Sequence, residues 1–83
     1  MSDPGEMVTI GIHHVKSYEE SQEIGSEVMG GDTAVVELGK LEHVQKQRML
    51  DFLSGVSYVR GSRIMKVAED VYLITAECCE IKE

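Results

Sequence analysis

The pattern of apolar and polar positions predicts β-strands in two short stretches of the chain. From Met7 onward, Val8, Ile10 and Ile12 recur at every second position, which predicts a β-strand. Thr33–Leu38 is rich in β-branched residues and has glycines on either side, so it predicts a second strand that is buried. The chain between these stretches has to connect them.

A different spacing fills that connection. Ser17 precedes Glu20 by three residues, which is the pattern of a capping box at the start of a helix. Ile24 and Val28 follow four residues apart, as on one face of a helix. The pair Gly30-Gly31 predicts its end, because glycine accepts the left-handed backbone that closes many helices.

The longest helical pattern begins near Leu41–Glu42. Its apolar positions keep helical spacing through Gly55, which predicts a helix to about Val59 with its end at Gly61. Those positions are Met49, Phe52, Leu53, Val56 and Val59. We interpret Gly55 as a close-packing residue inside this helix; a helix end at Gly55 is the weaker alternative.

Two further strands are predicted at Ser62–Ala68 and Val71–Ala76, joined as a hairpin at Glu69-Asp70. The tail Glu77–Glu83 is expected to add a short strand or to fray. The order β-α-β-α-β-β predicts an α/β fold, a single-domain two-layer sandwich. Right-handed crossovers would place both helices on one face of a mixed sheet.

The strands are apolar on both sides, unlike strands with one face in solvent. This pattern at Val35, Val36, Tyr72 and Leu73 predicts a symmetric dimer that buries the sheet face turned away from the helices. We assign Val35, Val36, Leu73 and Ile74 to its interface. Residues 1–6 are expected to be a flexible lead-in and residues 7–83 one domain.

Composition narrows the function. With 8 Lys and Arg against 15 Asp and Glu, the net charge is −7, which argues against unaided nucleic-acid binding. No apolar run approaches the roughly 20 residues of a membrane span. The adjacent Cys78 and Cys79 do not form a disulfide framework, so we interpret them as small apolar residues in a reducing, cytoplasmic compartment.

Catalytic and metal sites are not indicated. His13 and His14 are consecutive in a strand, so their imidazoles diverge and cannot bind one metal together. No phosphate-binding loop or nucleophile motif is present, and we expect no catalytic residue, metal or cofactor. Two alternatives stay open: a nucleic-acid-binding module, and a small enzyme or ligand sensor that would use His13, His14 and Glu37.

Positive charge is concentrated locally at Arg60, Arg63 and Lys66. Solubility and a binding site for an acidic or carboxylate-bearing partner segment explain this concentration about equally well.

The string Asp51-Phe-Leu-Ser-Gly55 resembles the core domain of the SepF cell-division proteins, and other segments support that resemblance across about residues 7–76. They are Ser17–Ile24, Thr33–Leu38, Tyr58, Gly61, Ile64, Lys66 and Val71–Thr75. The acidic composition and short length indicate an archaeal member.

The resemblance implies a dimeric, non-enzymatic α/β domain that binds the C-terminal tail of the tubulin-like division GTPase FtsZ. Lys66 and Tyr72 match the residues of the family's tail-binding pocket.

The family reaches the membrane through an N-terminal amphipathic helix, which Met1–Glu6 does not resemble. We therefore expect a core-domain fragment or a short relative that does not bind lipid vesicles by itself and sits at the membrane only through an anchor absent from this chain. Ala76 also replaces a proline usual in the family, which affects the expected path of the tail.

A shared pocket for Lys66 and Tyr72 depends on the hairpin register. A two-residue loop at Glu69-Asp70 would pair Val67 with Tyr72 and put Lys66 on the opposite face. A three-residue loop, Glu69–Val71, would pair Lys66 with Ile74 and leave both side chains on one face. Glu-Asp lacks the chemistry of tight two-residue turns, so we favour the longer loop.

Overall fold

The computed structural model describes residues 10–75, which form two helices on one face of a four-stranded mixed sheet. The elements are β1 (Ile10–His14), α1 (Ser21–Met29), β2 (Thr33–Glu37), α2 (His43–Arg60), β3 (Arg63–Ala68) and β4 (Val71–Thr75). The strand order is β1-β2-β4-β3, with β1 and β2 parallel and the other pairs antiparallel. The predicted fold class and element order are confirmed.

Both helices begin and end close to where the sequence predicts. A 3-10 turn at Tyr18–Glu20 leads into α1, and the Glu20 carboxylate accepts hydrogen bonds from the backbone N–H groups of Lys16 (2.6 Å) and Ser17 (2.9 Å). After α1 the left-handed residue is Gly31, with φ of 91°, and after α2 it is Gly61, with φ of 79°. These glycines let the chain turn sharply back into a strand.

The core lies between the helices and the sheet. Its fully buried side chains come from α1, α2 and the two central strands; they include Ile24, Val28, Ala34, Val36, Met49, Leu53 and Ile74. Because paired residues point to the same side, the helix-covered face of the sheet carries Ala34, Val36, Tyr72 and Ile74. The other face, called here the open face, carries Val35 and Leu73.

This division corrects part of the predicted dimer interface. Val36 and Ile74 have no exposed surface, since both are covered by the helices of their own chain. They have nothing to offer a partner, so of the four assigned residues Val35 and Leu73 stay in the predicted interface.

One expectation for α2 is wrong. Gly55 does not pack closely: a Cβ placed there would meet nothing within 4 Å. The close approach is instead at Gly25 of α1, where a Cβ would lie 2.9 Å from the ring of Phe52. The helix itself runs past Gly55 to Arg60 as predicted, and Val59 near its end is 74% exposed.

Several predictions concern residues outside 10–75, the part that the structure describes. They are the flexible lead-in at residues 1–6, the start of the first strand at Met7 and Val8, Ala76, the tail Glu77–Glu83, and the two cysteines.

Candidate partner-binding site

The β3–β4 hairpin combines a tight loop with a bulge. Ala68 pairs with Val71, so the loop is Glu69-Asp70 alone and the predicted three-residue loop is wrong. The register then shifts between Lys66 and Ala68, which makes Lys66 the direct partner of Tyr72. One extra residue in a strand produces such a shift. Lys66 and Tyr72 therefore share the helix-covered face because of a bulge, which neither of the two predicted registers contains.

Asp70 holds this hairpin in place. Its φ of 58° lies in the left-handed region, which aspartate tolerates better than most residues. Its carboxylate Oδ2 lies 3.1 Å from Nζ of Lys46 on α2, and its carbonyl accepts a hydrogen bond of 2.8 Å from the N–H of Leu38. These two contacts connect the hairpin loop to α2 and to the end of β2.

A pocket of about 250 Å³ lies between the first turns of α2 and this hairpin. Its apolar wall consists of the buried Leu38 and the half-buried Leu50 and Tyr72. Since Tyr72 also packs against the core, its ring position is fixed by the fold. The pocket can thus offer a peptide a flat aromatic surface with a polar tip.

Charged and polar side chains stand around the mouth of the pocket. α2 contributes His43 and Lys46, and the hairpin contributes Lys66, Glu69 and Asp70. Nζ of Lys66 lies 3.4 Å from Oε2 of Glu69, so each lysine has a carboxylate of the hairpin loop as its neighbour. The start of α2 adds the partial positive charge of its unpaired N–H groups. The two lysines could each meet a carboxylate of a partner.

The structure separates the histidines as predicted. His13 points to the helix-covered face, where Nε2 lies 3.1 Å from Oε2 of Glu27. Gly11 makes room for this pair, because a Cβ at that position would overlap the Glu27 carboxylate. His14 points to the open face, with Nδ1 3.6 Å from Oε1 of Glu37. The three candidates for a ligand sensor, His13, His14 and Glu37, therefore do not converge.

Among residues 10–75, no three histidine, aspartate or glutamate side chains are grouped so that they could hold one metal ion. Within the same range, neither helix has the length and apolar character needed to cross a membrane.

The basic residues that are close in sequence are dispersed in space. Arg60 donates a hydrogen bond of 3.2 Å from Nε to the carbonyl of Met29, at the end of α1. Arg63 pairs with Thr75 and so lies on the open face, while Lys66 lies on the covered one. Of the three, Lys66 alone lines the pocket.

Lys46 and Asp70 were not predicted as residues of this site. A signal for Lys46 was available, because it lies one helical turn before Met49 and Leu50 and two turns before Leu53, on the buried side of α2. Asp70 gave no such signal, since its role depends on a loop conformation and on a partner 24 residues away.

A second, apolar groove lies on the outer side of the two helices. It is lined by Gly25 and Met29 of α1 and by Phe52 and Val56 of α2, with a volume of about 360 Å³. It has no lysine or arginine in its lining. It is therefore a poorer match for a carboxylate-bearing segment than the pocket at the hairpin.

Comparison with known proteins agrees with this fold and extends it. The family model described as cell division protein SepF matches residues 10–81. The SepF of Bacillus licheniformis is 36% identical over 64 residues, which cover 77% of this chain and 43% of that protein. The SepF of Streptococcus sanguinis is 33% identical over 70 residues, 84% of this chain and 35% of that protein. The chain spans less than half the length of these relatives.

Solved structures share the architecture at lower identity. A SepF-like protein from Archaeoglobus fulgidus has a TM-score of 0.79 at 21% identity, covering 88% of this chain and 90% of that one. A SepF-like protein from Pyrococcus furiosus has a TM-score of 0.78 at 18% identity, and the match covers 98% of this chain and 100% of that one. These likenesses support the fold, and the family match over residues 10–81 supports more than the fold: this chain belongs to the SepF family of cell-division proteins.

Proposed function

We propose that this chain is the core of a non-enzymatic division adaptor, which dimerises and binds the C-terminal tail of FtsZ in the pocket between α2 and the β3–β4 hairpin. It would act on the cytoplasmic side of the membrane at the division site. Membership of the SepF family supports the role in division. The direct pairing of Lys66 with Tyr72 at this pocket is the observation that favours the site.

The chemistry of the pocket suits a peptide. Tyr72 and Leu50 can bury an apolar side chain, while the lysine ammonium groups at the mouth can meet a carboxylate. An aromatic side chain in a preformed pocket typically contributes most of the binding energy, and a charge at the rim contributes less. Tyr72 should therefore matter more than Lys66.

The open face supports the dimer. Ile10 and Ile12 of β1 are 55% and 67% exposed, and Val35 and Leu73 lie beside them on the same face. A row of apolar side chains across a sheet is a typical surface for association. A second copy of the chain, related by twofold symmetry, would cover it with the same surface.

Calorimetric titration with the C-terminal tail peptide of FtsZ from the same organism tests the binding site. Tyr72→Ala should weaken binding by about 2 kcal/mol or more, and Lys66→Ala by less, with a loss that shrinks as salt rises. Tyr58→Ala and Lys16→Ala are matched controls, because both residues are exposed and outside the pocket lining. Unchanged affinity in both pocket variants, with the fold intact by circular dichroism, would overturn the assignment.

A further inference from the structure

The two lysines at the pocket form ion pairs that differ in length and in exposure to solvent. The Lys46–Asp70 pair is 3.1 Å apart, its side chains are 25% and 27% exposed, and Asp70 is also fixed through its carbonyl. The Lys66–Glu69 pair is 3.4 Å apart, and its side chains are 52% and 84% exposed. Exposed pairs of this kind are weak and are screened by salt.

Glu69 therefore shows what Lys66 can bind and how easily it can be replaced. Its carboxylate occupies the position beside the ammonium group that a partner's carboxylate would need. Because Glu69 is mostly in solvent, it can swing away without breaking any packing contact of the core.

We infer that Glu69 is a specificity-determining residue, an internal competitor that occupies Lys66 and lowers the affinity of the pocket for carboxylate-bearing segments. This inference rests on the proposed function of the pocket. It means that the pocket favours segments whose apolar contacts with the Tyr72 wall add to their carboxylate over acidic segments without such contacts.

The test is a calorimetric titration with the same FtsZ tail peptide at low salt. Glu69→Gln should lower the dissociation constant about two- to fivefold, the range expected when an exposed ion pair no longer competes. Glu19→Gln changes the net charge equally at an exposed site of the Tyr18–Glu20 turn, so it controls for the general field of the chain. Its dissociation constant should stay close to that of the unmodified chain. Because damage to the fold would weaken binding, a gain of affinity cannot be explained by such damage.

Lys66→Gln supplies the second arm. If Glu69 acts by occupying Lys66, then adding Glu69→Gln to Lys66→Gln should improve binding no more than Glu19→Gln does. Equal effects of Glu69→Gln and Glu19→Gln in the unmodified chain would overturn the inference, as would a full gain without Lys66. Either result would leave tail binding intact, whereas a chain that does not bind the peptide at all would overturn both the inference and the proposed function.

Discussion

The two faces of the sheet are built from the same four strands but differ in how far their side chains are buried. On the covered face, Ala34, Val36 and Ile74 are completely buried beneath α1 and α2. On the open face, their neighbours Val35 and Leu73 are half-buried, and Ile12 is two-thirds exposed. Both faces are apolar in sequence, so apolar character alone does not tell which residues hold the chain together.

The difference is that helices cover one face only. A substitution on the covered face removes contacts that the folded chain makes with itself, whereas one on the open face removes surface that a second molecule could bury. Substitutions of similar size should therefore change folding on one side and association on the other. Four experiments test or refine this division.

The largest effect is expected on the covered face. Ile74→Ala removes a fully buried side chain in a central strand and should lower the free energy of unfolding by about 2–5 kcal/mol. Chemical denaturation followed by circular dichroism measures it. Because a domain of this size can lose its fold altogether, Ile74→Val is the milder companion, with an expected loss of about 0.5–1.5 kcal/mol. No loss in either variant would contradict the buried position of Ile74.

A substitution on the open face should change the association of two copies of the chain. Leu73→Asp puts a charge at the centre of the proposed interface and should raise the dimer dissociation constant tenfold or more, while the monomer stays folded. Sedimentation equilibrium at micromolar concentration measures it. Val44→Asp, on an exposed position of α2, is the matched control and should leave association unchanged. A stable monomer in the unmodified chain would remove the basis for the dimer.

A smaller change in the stability of the domain is expected from alanine substitutions at two glycines of the covering helices. Gly55→Ala adds a Cβ in open space within α2 and should stabilise the domain by about 0.5–1 kcal/mol, because alanine loses less backbone entropy. Gly25→Ala gains the same propensity but pushes the Phe52 ring, so it should stabilise less or destabilise. Thermal unfolding of both variants decides it, and equal stabilisation would contradict the close packing of α1 on α2.

The smallest effect is expected at the turn that connects β1 to the covering layer. Hydrogen bonds from the backbone N–H groups of Lys16 and Ser17 hold the pKa of Glu20 below its ordinary value of 4.5. A depressed pKa in the folded state means that its stabilisation is present above about pH 4.5 and is lost as the pH falls through the lower, folded value. Unfolding measured from pH 7 to pH 3 should show Glu20→Gln less stable at neutral pH, with the difference vanishing in acid. A difference independent of pH would contradict the charged hydrogen bonds.

The sequence was sufficient wherever a structure depends on local spacing. The β-branched run of β2, the helical spacing in α2 and the glycine at position 61 each depend on neighbours within a few residues, and each prediction is confirmed. The pocket was predictable only in part. The pairing of Lys66 with Tyr72 depends on a bulge, which the alternation of side chains does not reveal, and Lys46 joins them from another element.

The sequence also did not show which apolar strand residues lie on the covered face of the sheet and which lie on the open face. Val36 and Ile74 have the same apolar character as Val35 and Leu73, and strand direction and crossover geometry decide which pair the helices cover. A pattern within one strand therefore shows that both faces are apolar without showing which is free.

The most direct measurement is a nuclear magnetic resonance titration of the isotope-labelled chain with the FtsZ tail peptide. The proposed function predicts the largest shift changes at His43, Lys46, Lys66 and Tyr72 around the pocket, and small ones at Val35 and Leu73 on the open face. Changes centred on the open face or on the groove between Gly25 and Phe52, or no changes at saturating peptide, would contradict it.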